Sequence, residues 1–295
     1  MPGIGFKYPD GETITFEDAL DNDKLDLERM GIYYTALKEM SKVRSPDRKP
    51  SVTELINGTC QAYLERTKDY YLDPQAQAFA LAGTLHHKRL EDNASEEDAE
   101  IQLEGIDITG IVDLYQESTE TLIDYKNTGS FKAAKVLGLD FYLDDDPSGA
   151  VYKRSGRWGK AGTPKKVKRW WRNPEKADLA DWGWQINMYR YLLESTGKNV
   201  EKMYVQMTVR DGGLMASRDR GVDKNIYLVE VPYIHNDHLL DFFTTKRDAL
   251  LESLEKKETP SKCSDVETWG GIKCQRFCPV REFCPHVSFE IGSEQ

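Results

Sequence analysis

Residues 110–128 read GIVDLYQESTETLIDYKNT: two apolar runs, 111–115 (IVDLY) and 121–126 (TLIDYK), on either side of a polar link at 116–120. That arrangement predicts a β-hairpin. Successive strand side chains alternate between faces, so Leu122, Asp124 and Lys126 project one way while Ile123 and Tyr125 project the other. Pairing of the two strands sets Asp113 across from this group and gathers two carboxylates and an ammonium at one place on a sheet. Such charges are costly to bury unless they pair or bind a metal. The same residues also fit a plainer reading, in which the aspartates mark strand ends and Lys126 is a solvated edge lysine.

Upstream, Ser51-Val52-Thr53-Glu54 has the form of a capping box and opens an amphipathic helix through Leu55, Ile56, Tyr63 and Leu64 that contains Cys60. A second helix is predicted after Pro74, over 75–92. On it Ala80, Gly83, His87 and Leu90 recur at three- and four-residue spacing, which places His87 on an interior-facing stripe, with His86 beside it. A lone histidine on such a face is usually a hydrogen-bonded core residue. Followed by carboxylates on a hairpin, it becomes a candidate ligand for Mn²⁺ or Mg²⁺, the carboxylates being hard donors and the imidazole favouring Mn²⁺.

Downstream, Asn173 and Pro174 open a predicted helix over 174–195 on which Trp182, Gln185, Tyr189 and Leu192 share a face. Gln185 and Tyr189 put an amide and a phenol side by side, as a site would and as a satisfied buried pair would. Strands are predicted at 202–209 and 225–231, and a long helix over 236–257. This order predicts an α/β sheet layered by helices. Residues 1–50, with a helix within 16–40 and a loop at 42–50, read as an N-terminal extension without chemistry.

A net charge of −10 over 295 residues argues against a generally cationic nucleic-acid coat, so any such contact must be local. No stretch reaches the apolar length of a membrane span, and the first residues lack the basic start and apolar run of a signal peptide, which predicts a soluble cytoplasmic protein without membrane partners. After a break at 144–149 the composition inverts. Residues 151–172 carry Lys153, Arg154, Arg157, Lys160, Lys165, Lys166, Lys168, Arg169 and Arg172 with no acid, interleaved with Tyr152, Trp158, Trp170 and Trp171. Cations neutralise phosphates and aromatic faces stack on bases, so this stretch reads as a contact for single-stranded nucleic acid, with a flexible solvated loop as the alternative.

Five cysteines without an export signal point to a reducing compartment and to metal binding. Cys274, Cys278 and Cys284 fall within eleven residues, too clustered for packing, and suit zinc or an iron–sulfur cluster, each of which takes four ligands. Cys263 would complete a local set and Cys60 a long-range one.

Taken in order, these features resemble the PD-(D/E)XK nuclease superfamily, in its RecB-like branch of CRISPR-associated RecB-type exonucleases and AddB repair nucleases. Residues 83–87 (GTLHH) resemble its glycine-threonine-histidine motif, 110–113 (GIVD) its second motif, 123–126 (IDYK) its D-x-K motif, and Gln185 with Tyr189 its Q-x-x-x-Y motif. The cysteines resemble the branch's iron–sulfur members, with one ligand ahead of the core and three after it. Here these are Cys60, Cys274, Cys278 and Cys284. Three residues separate Cys274 from Cys278 where the family has two, and Cys263 is extra.

The resemblance implies a restriction-endonuclease-like mixed central sheet flanked by helices over 51–257, with the basic insertion at 144–173. It also implies an iron–sulfur subdomain built from the first core helix and the segment 258–295. It implies a Mn²⁺- or Mg²⁺-dependent deoxyribonuclease, a single-strand exonuclease of DNA repair, recombination or CRISPR adaptation, with a helicase or CRISPR integration proteins as possible partners. His87, Asp113, Asp124 and the Tyr125 carbonyl would hold metal, Lys126 would serve the attacking water, Gln185 and Tyr189 would position the strand, and a 4Fe-4S cluster would be structural. The alternatives are a catalytically inactive assembly protein on the same fold and a zinc-stapled binding protein using Cys263, Cys274, Cys278 and Cys284.

Overall fold

The computed structural model describes residues 3–42, 45–94, 99–157 and 159–287. In chain order the elements are β1 (Gly3–Lys7), β2 (Thr13–Thr15), α1 (Phe16–Ala19), α2 (Leu27–Met30), α3 (Tyr34–Met40), α4 (Val52–Ile56), α5 (Thr59–Thr67), β3 (Tyr70–Leu72) and α6 (Pro74–Glu91). They continue with β4 (Ala99–Gly105), β5 (Ile108–Gln116), β6 (Thr121–Thr128), α7 (Ser130–Val136), β7 (Leu139–Asp145), β8 (Lys166–Arg172) and α8 (Ala180–Glu194). The last are β9 (Lys202–Val209), α9 (Met215–Arg218), β10 (Ile226–Glu230), α10 (Asn236–Lys256) and α11 (Ile272–Arg276). The chain is thus mixed α/β, and it divides into two units: residues 1–124, 181–203 and 232–295 form the first, and 125–180 with 204–231 the second. No helix among the described residues is long and apolar enough to cross a membrane.

In the first unit the predicted hairpin is present. Antiparallel pairing runs from Gln116↔Thr121 through Tyr115↔Leu122 to Leu114↔Ile123, and the next residues on each strand are Asp113 and Asp124. β4 adds antiparallel to the far side of β5. The capping box also forms, with Ser51 Oγ accepting from the Glu54 N–H and the Glu54 carboxylate accepting from the Ser51 N–H. The single helix expected beyond it is instead two, because Asn57 takes an extended conformation between α4 and α5. The cause is tertiary. At Gly58 a Cβ would lie 2.2 Å from Cys263 Sγ, so the junction is where the C-terminal segment enters, and only glycine leaves it room. The Asn57 carbonyl accepts from Lys246 Nζ at 3.0 Å, and its side chain from Lys273 Nζ at 2.8 Å.

Two further expectations are corrected. The helix predicted over 174–195 begins at Ala180; Asn173 instead caps a 3₁₀ turn at Pro174–Lys176, and the Asp178 N–H is diverted to the Lys135 carbonyl. The helix predicted within 16–40 is the three short helices α1, α2 and α3. Residues 3–7 do more than extend the chain: β1 pairs in parallel with β3 and antiparallel with β2, and Phe6 is fully buried.

The buried helix of the first unit is α8, covered on most sides. Two of its buried polar residues reach the segment that leads into α10: Asn187 accepts from the Ile234 N–H and donates to the Pro232 carbonyl, and Arg190 donates to the Ile234 carbonyl and to Asn236 Oδ1. In the second unit β9 pairs antiparallel with β10, and β7 pairs antiparallel with β8 as a separate hairpin.

Candidate metal centre and cysteine cluster

α6 carries His87, and one helical turn further on it carries Glu91. β5 carries Asp113. One donor atom from each of these three residues lies within 4.8 Å of the others, and His87 Nδ1 is 3.3 Å from Asp113 Oδ1. Asp124, the residue that follows the last registered pair on β6, is only 3% exposed. Burial, and after it a hydrogen bond to the Glu100 carboxyl, pushes Glu91 up to about 7. Burial also lowers the His86 imidazole, whose Nε2 is buried without a hydrogen-bond partner. Carboxyls crowded together raise one another's cost of ionisation, which a divalent cation relieves. The donor set fits a hard ion such as Mn²⁺ or Mg²⁺.

The stripe through Ala80, Gly83, His87 and Leu90 is not an interior face, since Ala80 is exposed, the other three are half-buried, and only Pro74 of α6 is fully buried. An exposed helix bearing a half-buried histidine is accessible to solvent at the site. Glu91 escaped the sequence reading, although its spacing of four from His87 on one helix was the available signal.

Gln185 Nε2 donates to the Tyr189 hydroxyl at 2.9 Å. The Tyr189 ring lies against Gly110, where a Cβ would come within 2.9 Å of it. Alternation gives that face of β5 to Gly110, Val112 and Leu114, and the opposite face to Asp113. The Tyr189 ring therefore braces the strand that carries Asp113. Tyr125 and Lys126 continue β6 beyond Asp124, with Lys126 on the same face as Asp124 by alternation.

All five cysteines bear on one another. The Cys60 thiol, 1% exposed on α5, hydrogen-bonds Cys263 and Cys284, and these contacts with burial push its pKa far up. Cys263 is drawn down to about 6, first by the Cys60 hydrogen bond and further by the N–H groups of Gln61 and Cys60. Burial, and then the charges of Cys263 and Cys284, raise Cys274, while burial pushes Cys278 up to about 11. Lys273, itself buried, sits among them. The sequence-distant Cys60 is thus beside Cys263 and Cys284, but among the described residues no three of the five thiols come close enough together to share one ion. Cys263, the extra cysteine, has the largest influence on the Cys60 thiol.

The basic stretch is a folded hairpin. Acidic β7 opposes basic β8, so Lys166 pairs with Asp145 at 2.5 Å and Arg169 with Asp144 at 3.5 Å. Trp170 packs on Phe141 and against Gly221, and Lys168 lies over the Phe141 and Trp170 rings. Arg172 lies over Tyr227. Lys153, Arg154, Arg157 and Lys165 are exposed, as is Trp171, and Trp158 lies outside the described residues.

No protein-family model matches the chain, and no curated protein is significantly similar to it. The structure is that of a mixed α/β protein in which His87, Glu91 and Asp113 form a candidate divalent-metal group and the five cysteines lie apart from it.

Proposed function

We propose that the chain is a Mn²⁺- or Mg²⁺-dependent deoxyribonuclease that hydrolyses phosphodiester bonds, acting as an exonuclease on single-stranded DNA. The observation that carries this reading is the convergence of His87, Glu91 and Asp113, with buried Asp124 next along the hairpin. These four residues would hold the ion, together with the Tyr125 carbonyl. A divalent ion so held polarises a phosphate and lowers the pKa of a bound water. Lys126, on the Asp124 face, would orient that water and offset the charge that builds on the phosphoryl oxygens. Gln185 and Tyr189 would position the DNA strand, and the Tyr189 ring also packs against Gly110 of β5, the strand that carries Asp113.

The cysteine group would hold a 4Fe-4S cluster that ties α5 to the C-terminal segment, a structural role in which Cys60 is required. The influence of Cys263 and Cys284 on Cys274 favours, as a second reading, zinc held by the local set Cys263, Cys274, Cys278 and Cys284.

The test is digestion of end-labelled single- and double-stranded DNA with Mn²⁺, Mg²⁺ or chelator. Asp124→Ala and Lys126→Ala are each expected to reduce cleavage to the chelator level while the thermal midpoint is retained. Cleavage that survives either change refutes the site.

A further inference from the structure

We infer that the outer face of the β7–β8 hairpin is a stacking platform that selects unpaired DNA bases, with Tyr142 and Trp171 as the two stacking rings and Arg169 between them. The inference deepens the nuclease reading by naming what tells single strands from duplex, and it rests on that reading only for the identity of the polymer.

Register separates the two faces of the hairpin. Phe141↔Trp170 and Leu143↔Lys168 share one face, while Tyr142↔Arg169 and Asp140↔Trp171 share the other. On the first face Trp170 is used internally, packed on Phe141 and Gly221 under Lys168. On the second, Tyr142 is 58% exposed and Trp171 46% exposed. Diagonal neighbours across an antiparallel pair are within reach of aromatic side chains, so the two rings form one surface rather than two isolated spots.

Exposed aromatic rings are costly in water unless a partner covers them, and here charge identifies the partner. Residues 139–172 hold nine bases and four acids, net +5 in a chain of net −10. The acids on the outer face are already engaged, Asp140 with Lys176 at 2.7 Å and Asp144 with Arg169. The surplus lies in the connecting loop, at exposed Lys153, Arg154, Arg157, Lys160 and Lys165. Cations flanking exposed rings match a strand that presents phosphates and free base faces, and a duplex keeps its base faces stacked.

The experiment is fluorescence anisotropy with a labelled oligothymidylate and a labelled blunt duplex, in chelator, using Asp124→Ala protein with and without Tyr142→Ala and Trp171→Ala. Each ring removed is expected to weaken single-strand binding roughly 5- to 150-fold and to leave duplex binding unchanged. Phenylalanine at either position should restore binding. If the alanine changes lower the thermal midpoint, Trp171→Leu decides, because it keeps apolar bulk without a ring. Unchanged single-strand affinity, or equal loss on duplex, overturns the platform. Tight single-strand binding alongside wild-type protein that cleaves no DNA with Mn²⁺ or Mg²⁺ overturns the nuclease reading and leaves the platform standing.

Discussion

At the scale of residues, the candidate site rests on which side chains a strand and a helix can bring to one point. Asp113 and Asp124 were legible because strand alternation and hairpin pairing are both written in 110–128. Glu91 was not, since a carboxylate at the end of a helix reads as solvated until the fold shows what lies across from it. Its helical spacing from His87 and its crowding with Glu100 and Asp113 make it the candidate third donor. Glu91→Gln keeps the shape and removes the charge. It is expected to weaken Mn²⁺ binding at least about tenfold by isothermal calorimetry while the fold is retained. Binding at wild-type affinity would place Glu91 outside the coordination shell. Gly110 was legible only as part of a motif, and its physical reason is the Tyr189 ring that stands where a Cβ would be.

At the scale of elements, local signals fared well wherever the backbone had no tertiary demand on it. The capping box at Ser51, the long helix α10 and the strands β9 and β10 follow from pattern alone. Two of the failures share one cause. α5 is parted from α4 because Cys263 needs the space at Gly58, and α8 starts late because residues 173–178 are held by the backbone of Lys135 and Gly138. Neither partner is near in sequence, so no window could have shown it. The α4–α5 junction is consequently the receptor for the C-terminal segment, through Lys246, Lys273 and Cys263. Cys60→Ala tests what the junction holds. Loss of iron and of broad visible absorbance from anaerobically purified protein is expected, with a lowered thermal midpoint. A colourless wild type that carries one zinc and keeps it after the change would assign the local set of Cys263, Cys274, Cys278 and Cys284 instead.

At the scale of the molecule, charge is segregated. The second unit holds seventeen bases and ten acids, net +7, which leaves −17 for the first. An overall charge of −10 therefore hides a cationic unit, and this was legible in sequence only as the run at 151–172. The acidic β7 that neutralises part of it was not, because cross-strand pairing is a property of the fold. Long-range repulsion by the acidic unit and local attraction by the cationic one would make the proposed DNA binding strongly dependent on salt. If the five exposed loop bases each neutralise one phosphate, log K for single-stranded DNA should fall with log salt at a slope of about −3.5. Lys153→Gln together with Arg154→Gln should flatten that slope by about 1.4, whereas Trp171→Ala should weaken binding at every salt concentration without changing the slope. The two effects separate because phosphate neutralisation releases counterions and stacking does not. A slope near zero, or one that the ring substitution flattens as much as the charge substitutions do, would show that the loop bases and the aromatic face do not divide the work of binding in this way.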